Sequence, residues 1–264
     1  MIKKQVIFFL LASVYFFPLK AQYKDTASAA KNNVVIFKNS NTEFKPVQFP
    51  YRHFILPAFA IAYGFTTLNS DGLKDLNEEV EEEIWTEKPH RYIHVDNYLQ
   101  FAPAAAVYGL NMAGIKGKHN LKDGSIMYLM SNVFLNATVS SLKKITKQQR
   151  PDGSGYSSFP SGHTAEAFAS AEFLRLEYKD VSVWYGIAGY ACAAVTGVLR
   201  MYNNKHWLSD VVAGAGIGVA STQLAYWLYP AIKRKFFRKS DTGTMVMPTW
   251  QNKQAGILLT YNFR

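Results

Sequence analysis

Five stretches of this 264-residue chain, each 17 to 22 residues long, contain no Asp, Glu, Lys or Arg. They are residues 54–70, 97–115, 124–142, 181–199 and 211–232. Uncharged apolar runs of this length are typical of helices that are buried in a bundle or that cross a membrane. The sequence therefore predicts an all-α fold.

A sixth helix is predicted from the Pro-Ser-Gly-His sequence at 160–163 to about Tyr178, although it carries four charged residues. One of them, Glu166, is expected on the helix surface, with tuning of the pKa of His163 as the alternative. Residues 71–87 are acidic and predict a solvated amphipathic helix. The expected architecture is a helical bundle of about six core helices.

The composition of the chain changes after residue 232. Residues 233–239 are basic and aromatic, and residues 244–249 and 256–263 alternate like two strands. This pattern predicts a small C-terminal β-hairpin. A lone hairpin is marginally stable in water, so it should dock on the bundle or on a partner.

The N-terminus resembles a secretory signal, with Lys3 and Lys4 before an apolar stretch of about 13 residues. That stretch is short of the roughly 20 residues that a membrane span needs. The predicted organisation is a signal peptide at 1–21, a leader at 22–50, a main domain at 51–232, and the basic segment with its hairpin at 233–264.

The charge balance is basic. The net charge of +10 falls to +7 when the signal, with three lysines and no acid, is removed. Positive charge suits anionic lipid surfaces or phosphorylated substrates. A nucleic-acid partner is not expected, because no basic patch combines with stacking aromatic residues in a known binding motif. Cys192 is the single cysteine, so the chain can form no internal disulfide.

Three clusters within 68 residues carry most of the recognisable chemistry. They are Lys143-x6-Arg150-Pro151, Pro160-Ser161-Gly162-His163 and Arg200-x5-His206-x3-Asp210. Three cations match the anionic oxygens of a phosphate, and the planar fork of Arg binds such oxygens bidentately. One histidine can attack phosphorus and the other can protonate a leaving group. The set predicts chemistry on a phosphate ester.

The clusters resemble the signature of the type 2 phosphatidic acid phosphatase superfamily, which also contains the vanadium haloperoxidases and the bacterial class A acid phosphatases. That signature is K-x6-R-P, P-S-G-H and S-R-x5-H-x3-D. Leu199 is the one departure, because the family usually has Ser before the arginine. The resemblance covers roughly residues 50–230.

The resemblance implies a role for each site residue. His206 would be the nucleophile that forms a phosphohistidine, Asp210 would orient it, and His163 would protonate the leaving oxygen and then activate water. The phosphoryl oxygens would be held by Lys143, Arg150, Ser161, Gly162 and Arg200. Ser161 is also expected to cap the helix that follows it. No metal and no other cofactor is expected.

The implied function is a metal-independent phosphatase of the cell envelope that hydrolyses a lipid phosphate or pyrophosphate. A soluble periplasmic acid phosphatase of broad specificity is the main alternative. A vanadium-dependent haloperoxidase is disfavoured by the short chain, and a non-catalytic scaffold by the complete set of catalytic residues.

The location within the envelope stays open between a periplasmic bundle at a membrane surface and an integral one. The mean hydropathy of −0.09 is low for six spans. Charges in the helix after His163 would be costly in lipid. A cleaved signal and the positive-inside rule also predict opposite orientations of the catalytic clusters.

Overall fold

The computed structural model describes residues 49–87, 90–236, 244–251 and 254–261. The predicted signal peptide, and the predicted leader up to residue 48, lie outside the described residues. A 3₁₀ turn at Tyr51–Phe54 leads into the first helix.

Eight α-helices follow in the described part of the chain. They are α1 (Ile55–Thr67), α2 (Asp71–Glu81), α3 (Asp96–Leu99), α4 (Ala102–Met112), α5 (Leu121–Thr146), α6 (Gly162–Tyr178), α7 (Val183–Tyr202) and α8 (Leu208–Phe236). A π-helical turn, Glu82–Thr86, continues α2. The predicted all-α character of the domain is confirmed.

Helix α6 forms the centre of the bundle. It packs against α7 and α8 along its length and also against α4 and α5. Its alanines, such as Ala165 and Ala169, are completely buried, as is nearly all of Phe173. Small side chains let neighbouring helices approach closely, so α6 can be surrounded on all sides.

Helices α6 and α8 approach each other closely. A Cβ built on Gly218 of α8 would lie 2.1 Å from the carbonyl oxygen of Ala165, and one on Gly214 would lie 2.5 Å from that of Ser161. Both distances are far below a normal contact, so only glycine fits at these positions. This contact fixes α8 against the start of α6, where two of the three motif clusters lie.

The predicted run 97–115 is divided in the structure. Helix α3 ends at Leu99, and α4 begins at Ala102 with Pro103 in its first turn. Proline lacks an N–H donor and is favoured at the start of a helix, so Pro103 was the signal for this boundary. The break places Asp96 and Asn97 at one end of the bundle.

The predicted surface position of Glu166 is wrong. Its side chain is buried and accepts a 2.5 Å hydrogen bond from the hydroxyl of Tyr128. Glu172 is buried against Arg175, and Glu177 is buried against His119. The three acidic side chains of α6 are thus buried in the bundle, Glu172 and Glu177 against basic side chains and Glu166 against a tyrosine hydroxyl, so they would not face lipid.

Helix α2 is largely exposed, as its acidic sequence predicts. Its exception is Asn77, which is buried and exchanges hydrogen bonds with Ser209 at the start of α8. The acidic helix is therefore attached to the bundle next to the third motif cluster.

Two strands, β1 (Thr244–Gln251) and β2 (Gln254–Tyr261), pair antiparallel beyond the bundle. Thr244 lies opposite Tyr261, and Gln251 lies opposite Gln254. A stable hairpin in this segment, and its docking on the bundle, stay predictions, since an isolated two-stranded hairpin is only marginally stable.

Candidate active site

The three motif clusters meet at one end of the bundle. Lys143 lies in the last turn of α5, and Arg200 lies near the end of α7. Helix α6 begins at this end with His163 in its first turn, and α8 begins here with Asp210. Alternating helix directions therefore bring together residues that are far apart in sequence.

His206 and Asp210 form a buried pair, with 3.4 Å between the ring Nδ1 and the carboxylate Oδ2. The same Oδ2 accepts a 2.5 Å bond from the Ser158 hydroxyl and a 3.0 Å bond from the Trp207 amide. His206 lies two residues before the first residue of α8, so it stands outside the helix that carries Asp210. The pairing through Nδ1 nevertheless leaves Nε2 for nucleophilic attack.

The imidazole of His206 is held in its neutral form. Burial is the main cause that lowers its pKa to about 4, and the charges of Lys143 and Arg200 act in the same direction. Asp210 opposes this shift. A neutral ring at physiological pH has a free lone pair, which a nucleophile requires.

Lys143 is held by the loop that precedes α6. Its ammonium group donates to the carbonyl oxygens of Ser157 and Ser158. Burial, followed by the charge of Arg150, lowers its pKa to about 8. Arg150 lies 3.4 Å from the hydroxyl of Ser157, so one short loop positions both cations of the first cluster.

Arg200 is buried and pairs with Asp96, with 2.5 Å between Nη1 and Oδ2. His163 contacts the next residue, with 2.9 Å between its Nε2 and the Oδ1 of Asn97. Burial is the main cause that lowers the pKa of His163 to about 4, and Arg200 contributes. Arg200 and His163 therefore both contact the short helix α3.

Ser161 caps α6, as predicted. Its hydroxyl accepts from the Thr164 amide at 3.4 Å, and its own amide donates to the Asp210 carbonyl at 3.0 Å. Gly162 is the first residue of the helix, where backbone N–H groups lack helical partners and favour anions. Phosphate binding by Ser161 and Gly162 stays a prediction.

The donor set favours an anion over a cation. Three basic side chains converge with two histidines, and no group of three or more His, Cys, Asp or Glu in the described part of the chain could hold a metal ion. Electrostatically, the site suits a phosphoryl group whose negative charge is spread over three oxygens during transfer.

Residues 125–234 match the family model described as the PAP2 superfamily. This segment contains all three motif clusters and the helices that carry them. Residues 125–234 belong to the PAP2 superfamily. The boundaries predicted for the main PAP2 domain, 51–232, extend further towards the N-terminus and stay a prediction.

Two curated relatives contain sequences similar to this chain. A lipid A 1-phosphatase of Porphyromonas gingivalis is 36% identical over 196 residues, which is 72% of this chain and 41% of that protein. The bacitracin transport permease protein BcrC of Bacillus licheniformis is 29% identical over 110 residues, which is 41% of this chain and 50% of that protein. The chain thus spans half or less of the length of these relatives.

Two solved structures resemble the chain more distantly. The crystal structure of LpxE from Aquifex aeolicus has a TM-score of 0.45 and 22% identity, covering 57% of this chain and 94% of that one. The transmembrane PAP2-type phosphatidylglycerolphosphate phosphatase from Bacillus subtilis has a TM-score of 0.41 and 19% identity, covering 70% of this chain and 98% of that one.

Three residues of the candidate site were missed by sequence reasoning. Ser158 contacts the His206–Asp210 pair, and Asp96 and Asn97 contact Arg200 and His163. Ser158 lies only two residues before the Pro-Ser-Gly-His cluster, and this closeness in sequence could have indicated that it belongs to the site. Asp96 and Asn97 had no such signal, because they are 104 and 66 residues from their partners.

Proposed function

We propose that this chain is a metal-independent phosphatase of the cell envelope that hydrolyses a lipid phosphate or pyrophosphate through a phosphohistidine. The observation that carries the proposal is the buried His206–Asp210 pair beside Lys143, Arg200 and His163 at one end of the bundle. A nucleophile, an acid–base group and fixed cations are the components that metal-independent phosphoryl transfer requires.

In the first step, Nε2 of His206 forms a bond to phosphorus while the bond from phosphorus to the leaving oxygen breaks. The bound phosphate carries negative charge, which raises the pKa of His163 above the value of about 4 in the empty site, and the protonated ring donates a proton to that oxygen. In the second step, His163 takes a proton from water, the water oxygen bonds to phosphorus, and the bond to Nε2 breaks. Lys143, Arg150 and Arg200 stabilise the charge on the phosphoryl oxygens throughout.

Large apolar side chains on the outer surface support a lipid environment. On α7 they include Val183, Trp184, Ile187, Val195 and Val198, all of them exposed. No charged residue interrupts this helix between residues 183 and 199. Exposed apolar surface of this extent marks an interaction site, and acyl chains would cover it without a protein partner.

Helix α1 adds a second apolar surface, where Leu56 is 78% and Phe59 is 69% exposed. Within the described residues one helix, Leu208–Lys235, is long and apolar enough to cross a membrane, and 56% of its apolar window is buried. A core helix of a soluble protein meets the same test. The exposed faces of α1 and α7 therefore support membrane association better than α8 does.

The lipid A 1-phosphatase relative supports a phosphorylated lipid as the substrate class. Placement in the periplasm is part of the proposal and depends on the N-terminal signal predicted from the sequence. The C-terminal β-hairpin is included in the proposal as an appendage to the all-helical domain.

Two measurements test the proposal. The first is phosphate release, with EDTA present, from phosphatidate in micelles and from a water-soluble phosphomonoester. We expect preference for the lipid, and no turnover by His206→Ala. His53→Ala is the matched control, since His53 contacts Gln223 outside the site and should keep full activity.

The second measurement traps the intermediate. The His163→Ala variant lacks the group that activates water, so with 4-nitrophenyl phosphate, whose leaving group needs no proton, it should accumulate an acid-labile phosphoenzyme that His206→Ala does not form. Unchanged turnover by His206→Ala would refute the mechanism. Equal or better turnover of the soluble ester would favour a periplasmic acid phosphatase, and halide oxidation with vanadate and peroxide would favour a haloperoxidase.

A further inference from the structure

We propose that Asp96 and Asn97 are positioning residues of the active site, Asp96 for Arg200 and Asn97 for His163. The proposal rests on the function proposed above and extends it to a segment outside the three motif clusters. Neither residue lies within the part of the chain that matches the family model.

Asp96 orients the guanidinium group of Arg200. Its side chain is fully buried, and its Oδ2 lies 2.5 Å from Nη1 of Arg200. Within the described residues, Nε of Arg200 is buried without a hydrogen-bond partner. A carboxylate on one terminal nitrogen leaves the opposite edge of the guanidinium for a second anion. Asp96 thus fixes one edge of the Arg200 guanidinium, and the N–H donors of the other edge can bind phosphoryl oxygens.

Asn97 orients the imidazole of His163. Its Oδ1 lies 2.9 Å from Nε2. An amide oxygen that accepts from Nε2 fixes the ring plane and keeps the proton on that nitrogen. Nδ1 then exchanges the proton with the leaving oxygen and with water. An amide suits this task because, unlike a carboxylate, it does not strongly favour the imidazolium form.

The segment that carries both residues is attached to the third motif cluster. Asn203, between Arg200 and His206, accepts from the amide of Ile93 at 2.8 Å and donates to its carbonyl at 2.7 Å. The ring of His90 stacks on Tyr202 and bonds its carbonyl oxygen at 2.7 Å. These contacts connect residues 90–97 to the end of α7, which carries Arg200, and to the loop after it, which carries His206. The two segments therefore form one structural unit.

A competing role for Asp96 predicts the opposite result. If the carboxylate only neutralised Arg200, its removal would leave more positive charge and tighten the binding of anions. If it positions Arg200, its removal lets the guanidinium leave the phosphoryl site and weakens that binding. The sign of the change in anion affinity therefore decides between the two roles.

The first experiment measures orthovanadate binding by calorimetry, together with kcat and KM, on the full chain. Asp96→Ala should weaken vanadate binding about tenfold or more and lower kcat/KM up to about 100-fold, the cost of displacing a reacting group by about 1 Å. Asp96→Asn should recover part of both, because its amide oxygen still accepts from Arg200.

The matched control is Asp123→Ala. Like Asp96, Asp123 is a carboxylate bound to a basic side chain, Lys233, and it accepts from Tyr229 as well. It lies 20 residues before Lys143 on α5, which is about 30 Å along the helix. Its removal should leave vanadate binding unchanged. Unchanged or tighter vanadate binding by a folded Asp96→Ala variant would overturn the role of Asp96, as would a wild type that binds no vanadate.

The second experiment tests Asn97 through the leaving group. Asn97→Leu should lower kcat more for an alkyl phosphate than for 4-nitrophenyl phosphate, because a poor leaving group needs the proton from His163 and a good one does not. Asn97→Asp should shift the alkaline limb of the kcat profile to higher pH, because a carboxylate favours the imidazolium. Equal losses on both esters, with no shift in the pH profile, would contradict this role.

Failure of the proposed function can be distinguished from failure of the positioning roles. A wild type that releases no phosphate from any ester would refute the proposed function and the role of Asn97. Vanadate binding needs no turnover, so the positioning of Arg200 by Asp96 would still be decided.

Discussion

The substitution Gly218→Ala should disturb the active site although it lies far from the chemistry. Its Cβ would lie 2.1 Å from the carbonyl oxygen of Ala165 and 2.9 Å from the amide nitrogen of Ala169. Both are backbone atoms of α6, so no side chain can rotate away. To restore ordinary contact, α8 must move from α6 by about 1 Å or more.

The expected costs follow from that displacement. Overpacking of this kind costs about 1–3 kcal/mol of unfolding free energy, which lowers Tm by about 2–4 °C per kcal/mol for a domain of this size. The N-terminal ends of α6 and α8 carry His163 and Asp210. A relative shift of about 1 Å between them should lower kcat up to about 100-fold.

The assay combines thermal unfolding with phosphate release from phosphatidate micelles. Gly109→Ala is the matched control, because a Cβ there has nothing within 4 Å. In an exposed helix interior this change should stabilise the fold by about 0.5–1 kcal/mol and leave kcat unchanged. A Gly218→Ala protein with the Tm and kcat of the wild type would refute the view that the α6–α8 contact positions the site.

Two further predictions concern groups that contact the nucleophile or the phosphoryl site. Burial and the charge of Arg150 lower the pKa of Lys143 to about 8, so its positive charge is lost above that pH and kcat/KM should fall. In rate profiles from pH 6 to 10, Lys143→Arg should remove this alkaline fall, because arginine stays charged. An identical fall in both proteins would contradict the assignment. Ser158→Ala removes the 2.5 Å hydrogen bond to Asp210. A loss of about 1.5 kcal/mol corresponds to about a tenfold loss of kcat. Ser154→Ala, in the same loop, should leave kcat unchanged, and equal kcat values for Ser158→Ala and the wild type would show that Asp210 is oriented without Ser158.

Much of the helical architecture was predictable because its signals are local. The uncharged runs gave the positions of α1, α5, α7 and α8 to within a few residues. Ser161 before Gly162 predicted the start of α6 through a side-chain cap that spans three residues. Each of these features depends on neighbours within one or two helical turns, which the linear sequence displays directly.

The burial of Glu166, Glu172 and Glu177 could not be predicted in the same way. Each has a partner on another helix, namely Tyr128 on α5 for Glu166, Gln223 on α8 for Glu172 and Tyr226 on α8 for Glu177. Helix α6 is enclosed only once the bundle forms. A charged residue on a helix is usually solvated, so its local sequence indicated a surface position. The tertiary structure provided the donors that allow burial.

The sequence by itself determined which chemistry this chain can attempt, because the types and spacing of its basic and histidine residues indicate a phosphoryl site. Those residues are Lys143, Arg150, His163, Arg200 and His206. Only the tertiary structure decided how these groups are held: Asp96 and Asn97 come from a segment 104 and 66 residues from Arg200 and His163. Packing sets such contacts, and no local pattern encodes them, because they exist only after the helices have met.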